Sequence, residues 1–138
     1  MNLNRIIKNL KGREVSVSPN LLSRQEIEEL PKDDDGKLDM TKLPNETVRS
    51  VVLNCLAAYP VSDKREVFYL NAIAGSVLEK DEVEFKEKYQ KFLVKVLEES
   101  TFRKEKDGEK DVIKGIYFGW VIAQVLDELG LTPEEDAE

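Results

Sequence analysis

The sequence of 138 residues contains no histidine. Histidine is the commonest general base and the commonest side-chain ligand of transition metals. Its absence excludes Ser-His and Cys-His catalysis and most zinc sites. Carboxylate, lysine and tyrosine chemistry remain open on this ground. Because the sequence also shows no nucleophile-base pair and no phosphate-binding loop, we predict a protein that is not an enzyme, with no catalytic residues, no cofactor and no bound metal.

Cysteine is nearly absent as well, since Cys55 is the only one. One cysteine cannot form an internal disulfide, which fits a reducing compartment, and we expect a cytoplasmic protein. Cys55 lies at helical spacing from apolar neighbours such as Val51, Val52 and Leu56. A reactive cysteine needs exposed, electropositive surroundings, so this pattern predicts a buried structural thiol.

Long apolar runs are missing too. A membrane-spanning helix needs about 20 predominantly apolar residues, whereas the most apolar stretch, "GIYFGWVIA" at 115–123, is followed by Gln124 and soon by Asp127. The opening residues show neither the apolar run nor the cleavage site of a signal peptide. Neither of the glycine-rich loops that bind phosphate groups occurs. We therefore expect neither membrane association nor nucleotide binding.

The net charge of −7 is concentrated at the C-terminus, where "PEEDAE" includes Glu134, Glu135 and Asp136. We predict an acidic flexible tail over 131–138. Elsewhere acidic and basic residues alternate, and there is no basic stripe that could neutralise phosphates. Direct nucleic-acid binding is therefore not expected.

Apolar spacing and capping residues predict several helices. Ser23 and Glu26 form a capping-box pattern ahead of a short helix that Pro31 ends. Asn45 and Ser62 are the predicted N-caps of the next two helices. Apolar residues recur at helical spacing over about 45–59, 63–80, 84–99 and 112–129. The predicted inner face of the second of these helices consists of Val67, Leu70, Ala74, Val77 and Leu78, and that of the third consists of Phe85, Tyr89, Phe92, Leu93 and Val96.

These elements predict a mainly α fold, with four to five helices in a single domain over residues 1–130. Residues 18–44 form a loop-rich insert in it. In "RIIKNLKGREVSV" at 5–17, Gly12 and the alternation of Val15 and Val17 predict a short β-hairpin. An N-terminal helix is the competing interpretation.

The last predicted helix, 112–129, is apolar on nearly every side, which is typical of a buried helix. Gly115 and Gly119 are four residues apart and would share one helix face, a candidate helix-packing seam. Packing within the domain is favoured over self-association. Tyr117, Phe118 and Trp120 are interpreted as core residues, with one ring exposed as an anchor for a protein partner.

Two acidic patterns resemble cation sites, but neither is interpreted as one. In "DDDGKLD" the loop template for calcium would place Pro31 and Lys42 where its first and twelfth ligands belong, so the stretch is interpreted as a solvated turn. Carboxylate pairs at helical spacing occur at Glu26 and Glu29 and at Glu84 and Glu87. We interpret them as helix-surface charge rather than magnesium ligands.

The order of motifs resembles that of small phage and prophage proteins. It runs "NLKGREV", "ETVRSVVLNCLAAYP", "KREVFYLNAIAGSVLEKDEVEF" and "GIYFGWVIAQVLDEL", and the resemblance covers about residues 6–129. It implies no catalytic residues. The chain departs from the pattern at Cys55, where a small residue is usual, at the insert 18–44 and at the charged loop 101–110.

We therefore expect a non-catalytic, phage-encoded accessory protein that binds a host or phage protein and modulates or inhibits it. Alternatives are a homo-oligomeric assembly protein of the virion and, less favoured, a magnesium-dependent hydrolase. A weak homodimer is a further expectation. The candidate partner-binding residues are charged and lie in the insert, the loop 101–110 and the tail: Asp33, Asp34, Asp35, Arg103, Lys104, Lys106, Glu134, Glu135 and Asp136.

Overall fold

A computed structural model describes residues 1–130 of the chain. Within this range, five α-helices and one antiparallel pair of strands form the regular elements. In chain order they are α1 (Arg24–Glu29), α2 (Val48–Ala58), α3 (Lys64–Glu79), α4 (Glu87–Glu99), β1 (Arg103–Asp107), β2 (Lys110–Lys114) and α5 (Gly119–Glu128).

Helix α2 lies at the centre of the core, where it packs against α3, α4 and α5. Its predicted apolar face is confirmed, and Cys55 is completely buried within it. The helix begins later than predicted because Thr47, not Asn45, provides the cap: its hydroxyl accepts a hydrogen bond from the Ser50 amide. The buried side chains of α2 are Val48, Val51, Val52, Cys55 and Leu56.

Helices α3 and α4 cover one side of α2. Asp63, rather than the predicted Ser62, caps α3 through the Glu66 amide. The predicted inner face of α4 is confirmed by burial of Phe92, Leu93 and Val96, whereas that of α3 is partly wrong. On α3, Val77 is buried as predicted, and Ile73 is buried beside it. Val67 and Leu78, which were predicted to face inward, are exposed.

The prediction of a mainly α fold with an N-terminal hairpin is wrong. The chain does turn at Gly12, whose φ is +79°, but the two arms form only an isolated bridge, between Lys8 and Glu14. The Val15 amide donates to the Ile7 carbonyl across the arms at 3.1 Å, but no regular ladder forms, and Glu46 before α2 pairs with both arms: the Ile7 amide donates to the Glu46 carbonyl at 2.9 Å, and the Glu46 amide donates to the Val15 carbonyl at 2.6 Å. The regular two-stranded sheet lies at 103–114 instead, so the fold mixes helices and strands.

The predicted helix 112–129 is also corrected. Residues 110–114 pair with β1, residues 115–118 form an irregular strap, and α5 begins only at Gly119. Gly115 has φ +96°, which a helix does not allow. A β-carbon at this position would also overlap the Thr101 carbonyl and lie 2.7 Å from the Phe102 nitrogen. Close passage of the strap over residues 101–102 therefore requires glycine and ends any helix.

The insert 18–44 contains α1, and the predicted capping box is confirmed by reciprocal bonds between Ser23 and Glu26. No α1 side chain is buried. In the loop that follows, the Asp33 carboxylate accepts hydrogen bonds at 2.9 Å from the Asp35 and Lys37 amides. This is a self-contained turn of the kind predicted. None of the helices within residues 1–130 is both long and apolar enough to cross a membrane.

Candidate protein-interaction surface

The strap 115–118 is fixed to the C-terminal end of α4 by backbone hydrogen bonds. The Ser100 carbonyl accepts from the amides of Ile116 and Tyr117, at 2.9 Å and 3.1 Å. The Phe102 amide then donates to the Tyr117 carbonyl at 2.8 Å. These bonds bring Phe102, at the entrance to β1, beside Phe118, at the start of α5.

Three aromatic rings meet at this junction and form what we call the aromatic patch: Phe102, Phe118 and Trp120. The Phe102 and Phe118 ring centroids are 4.8 Å apart in an edge-on arrangement. The Phe118 and Trp120 rings lie 6.0 Å apart and nearly parallel. Phe118 is 56% exposed and Phe102 is 38% exposed, while Trp120 is partly buried against the core. Of Tyr117, Phe118 and Trp120, interpreted as core residues with one ring exposed, Phe118 is therefore the exposed one, and Tyr117 is buried.

A buried polar network holds the strap from inside. The Tyr117 side chain points inward, and its hydroxyl donates to Glu46 Oε1 at 3.2 Å. Asn54 Nδ2 donates to the same hydroxyl at 2.9 Å. Ser50 Oγ also donates to Glu46 Oε1. The network thus ties the strap to the start and the middle of α2.

The charge states of this network follow from burial. Glu46 and Tyr117 are almost inaccessible to solvent. Burial raises the pKa of the Glu46 carboxyl, and the donors Ser50 and Tyr117 oppose that shift. Burial is also the largest cause that raises the pKa of Tyr117. Tyr117 therefore remains a neutral hydrogen-bond donor, and it presents its neighbour Phe118 outward on a fixed backbone.

Strands β1 and β2 extend from the patch as a hairpin arm, residues 103–114. Their loop consists of Gly108, with φ +68°, and Glu109. In the register of the arm, Lys104 lies opposite Ile113 and Lys106 opposite Asp111. Side chains alternate between the two faces of a strand, so Phe102, Lys104 and Lys106 share one face. Ile113, 68% exposed, lies on that same face.

The predicted partner-binding residues of the 101–110 segment have unequal roles. Arg103 Nε binds Glu105 at 2.6 Å, and Arg103 Nη1 donates to the Glu99 carbonyl at 3.0 Å, which anchors the arm to α4. Lys106 pairs with Asp111 at 2.7 Å. Lys104 makes no ion pair within residues 1–130. Of these three predicted contact residues, Lys104 is therefore the one whose ammonium group no ion pair within residues 1–130 engages.

The other predicted contact residues do not join this surface. Asp33, Asp34 and Asp35 lie in the turn of the insert, and no hydrogen bond or ion pair within residues 1–130 links them to the arm. Glu134, Glu135 and Asp136, and with them the predicted tail 131–138, lie outside the described residues.

The predicted seam of Gly115 and Gly119 does not exist as a shared helix face. Gly115 precedes α5, and Gly119 is the first residue of that helix. A β-carbon on Gly119 would meet only the Thr101 methyl group, at 3.8 Å. Close packing explains why residue 115 is glycine, since the strap crosses residues 101–102 there. No such crossing requires glycine at residue 119.

The acidic pairs weighed as magnesium ligands are separated or already engaged. Glu26 accepts from the Ser23 amide in the capping box. Glu84 precedes α4, so it does not share a helix face with Glu87. Within residues 1–130, no group of three acidic or cysteine side chains is arranged to hold a metal ion.

Sequence reasoning missed the exposure of Phe102 and Ile113. A usable signal was present: a two-residue loop that begins with glycine suits a β-hairpin turn, and Gly108-Glu109 lies between two segments of equal length that pair in the structure. Comparison with protein-family models, curated proteins and solved structures gives no match for this chain. The resemblance to small phage proteins therefore stays a prediction, and the function has to be argued from the surface itself.

Proposed function

We propose that this chain is a non-catalytic protein-binding module whose contact surface combines the aromatic patch with the neighbouring face of the hairpin arm. The observation that carries the proposal is the exposed ring of Phe118, stacked on the partly buried ring of Trp120, at a strap fixed by the Tyr117 network. Its action on a partner is modulation or inhibition by occupation of that partner's surface.

Aromatic residues support this role on energetic grounds. They are enriched at the centres of protein interfaces and supply much of the binding free energy there. Exposed apolar patches on a soluble domain mark interaction sites. Because the backbone bonds of Ser100 and Phe102 hold the strap, the rings lose little conformational entropy when a partner binds.

The charges of the hairpin arm favour a protein over a nucleic acid as the partner. Residues 103–114 carry five basic and four acidic side chains. A nucleic-acid surface needs uncompensated positive charge, whereas mixed charge around an apolar centre is typical of the rim of a protein interface. Lys104 beside Ile113 matches a partner segment with a carboxylate next to an apolar side chain.

The setting in which this module works follows from composition and from the resemblance. A single buried cysteine is consistent with a reducing, cytoplasmic location. The motif order that resembles small phage proteins supports a phage-encoded accessory protein that binds a host or phage protein. The charged loop at which the chain departs from that pattern, 101–110, contains all of β1 and the turn that follows it, so a partner specific to this chain is expected.

The test is comparative affinity capture from a lysate of the source or host cell. The bait is the intact chain, and Phe118→Ala and Trp120→Ala serve as surface variants. Leu10→Ala is the matched control, because Leu10 is 85% exposed and lies on the N-terminal turn. We expect one stoichiometric protein with the wild type and the control, and its loss with both surface variants.

Three results would contradict the proposal. Equal capture of the partner by all variants would mean that the contact surface lies outside the aromatic patch. Capture that nuclease treatment abolishes would replace the protein partner with a nucleic acid. If no protein is captured by the wild type and lost with Phe118→Ala, the protein-binding role would be contradicted. Phe118→Ala should keep the helical circular-dichroism spectrum of the wild type, since its ring is exposed. Trp120 also packs against the core, so the spectrum of Trp120→Ala shows whether its loss of capture reflects a loss of fold.

A further inference from the structure

The outer face of α3 carries apolar side chains that nothing covers within residues 1–130. Phe68 is 71% exposed and Leu78 is 65% exposed. The side chains that α3 buries, Glu66, Ile73 and Val77, lie on its opposite side. This outer face lies on a different element from the aromatic patch, and the proposed function does not use it.

The exposed residues follow a heptad-like spacing. Lys64, Phe68, Asn71, Gly75 and Leu78 are separated by four, three, four and three residues. Such spacing places them on one stripe that a second helix can follow. All of them are exposed. A β-carbon built on Gly75 has no atom within 4 Å, so this position is an open gap between larger side chains.

We propose that this stripe is the interface with a second copy of the chain, in which two α3 helices pack antiparallel across a two-fold axis near residues 71–72. In that arrangement Phe68 of each copy lies over Gly75 of the other, and Leu78 flanks the ring. A two-fold interface has to be self-complementary. The stripe meets this condition because it contains both the large side chain and the gap that receives it.

Charge complementarity selects the antiparallel direction. The same arrangement places Lys64 at the start of one helix beside Glu79 at the end of the other. Neither residue forms an ion pair within its own chain over residues 1–130. A parallel pair would instead place Lys64 beside Lys64 and Glu79 beside Glu79, and like charges oppose association.

The dimer is expected to be weak. One pair of helices, each of 16 residues, buries less than the roughly 800 Å² per partner of a stable interface. It should therefore form at micromolar concentrations and weaken as salt screens its two ion pairs.

The test is sedimentation velocity of the full chain over a concentration series, with four single variants and one double variant. Phe68→Ala removes the large side chain, and Gly75→Gln fills the gap without a clash inside the chain. Each should weaken dimerisation by at least about tenfold. Lys64→Glu and Glu79→Lys should each weaken it, and the double variant should restore it, because the exchanged charges still attract.

Leu10→Ala and Phe118→Ala are the controls, since neither residue belongs to α3, and both should dimerise like the wild type. A chain that stays monomeric at the highest concentration would overturn the proposal. So would a dimer that survives both Phe68→Ala and Gly75→Gln. Failure of the double charge variant to restore association would overturn the antiparallel arrangement. Circular dichroism of each variant shows whether a loss of dimer reflects a loss of fold.

Discussion

The Tyr117 hydroxyl and the Glu46 carboxylate meet at 3.2 Å inside the protein, although 71 positions separate them in the sequence. Glu46 lies directly before α2, and Tyr117 lies on the strap before α5. Asn54 and Ser50 of α2 complete the network. This one relationship sets the position of Phe118, so the proposed contact surface depends on polar groups that no partner touches.

Tyr117→Phe should therefore destabilise the fold and loosen the patch. The variant keeps the ring, but it leaves Asn54 Nδ2 without its acceptor and removes one donor to Glu46. Loss of a partner by a buried polar group costs about 1–3 kcal/mol. Urea unfolding should show this decrease in the free energy of unfolding. A change within error would mean that water replaces the hydroxyl at no cost.

Glu46→Gln should raise stability, and the gain should grow with pH. The pKa of the folded Glu46 carboxyl lies above its ordinary value of 4.5 because the group is buried. As pH rises from 4.5 toward the folded pKa, the unfolded chain ionises first, so the wild type loses stability over that interval. Glutamine stays neutral and can still accept hydrogen bonds from Ser50 and Tyr117.

Thermal unfolding of wild type and Glu46→Gln from pH 4 to pH 7 measures this difference. The melting temperature of the variant should exceed that of the wild type increasingly above pH 4.5, the ordinary pKa of the carboxyl. The gap should close at the acid end, where the carboxyl is protonated in both states. If the variant instead melts lower at pH 7, the ionised carboxylate stabilises the fold, contrary to the burial argument.

Gly115→Ala should be among the most destabilising single-methyl changes in the chain. Alanine at φ +96° is strained, and its methyl group would overlap the Thr101 carbonyl. Strain of this kind costs about 1–3 kcal/mol before the overlap is added. Gly119→Ala is the matched control, since its methyl group meets one atom at 3.8 Å. Chemical denaturation should separate the two variants by more than about 2 kcal/mol, and equal stabilities would contradict the close crossing at Gly115.

The sequence predicted those helices whose start or buried face depends only on neighbouring residues. The Ser23 and Glu26 capping box and the apolar face of α2 needed only neighbouring residues, and both are confirmed. The N-terminal hairpin failed because the hydrogen bonds between its arms, such as that from the Val15 amide to the Ile7 carbonyl, form no regular ladder, and Glu46 before α2 pairs with both arms. Val15 and Val17 alternate as a strand does, but alternation does not reveal which segment is the partner.

The last predicted helix failed for a related reason. Val112 and Ile113 fit a helix or a strand equally well in a short apolar run. Residues 110–114 form a strand rather than a helix because every one of them pairs with β1, and because the Ser100 carbonyl binds the strap that follows. One exposed ring among Tyr117, Phe118 and Trp120 was expected, but the share of Phe102 in the patch could not be predicted, because Phe102 precedes β1 and meets Phe118 only through the fold. Only the contact between Phe102 and Phe118 shows that they share a surface.

Cys55 should not react with thiol reagents while the chain is folded. The side chain is fully buried, and burial raises the pKa of the thiol to about 12. Thiolate is the reactive species, so both access and ionisation oppose modification. Labelling with a disulfide reagent at neutral pH should follow the rate of unfolding and accelerate with urea. Rapid labelling in the absence of denaturant would show that α2 opens locally.

The Glu66 carboxylate should give the fold a pH dependence of the opposite sign to that of Glu46. It accepts hydrogen bonds from the Ser62 amide at 2.8 Å and from the Ser62 hydroxyl, Tyr59 and Lys95. The Ser62 hydroxyl and amide are the main causes that lower its pKa to about 2, from an ordinary value of 4.5. Stability from this group is therefore complete above pH 4.5 and is lost as pH falls toward 2.

Glu66→Gln should accordingly melt below the wild type at neutral pH, because the neutral amide binds these donors less strongly than a carboxylate does. The difference should shrink between pH 4.5 and 2, the interval between the ordinary and the folded pKa. Glu98→Gln on the exposed side of α4 is the control and should change the melting temperature little at any pH. If the melting temperature of Glu66→Gln stays below that of the wild type by a constant amount down to pH 2, the contact between α3 and α4 depends on side-chain packing rather than on the charge of Glu66.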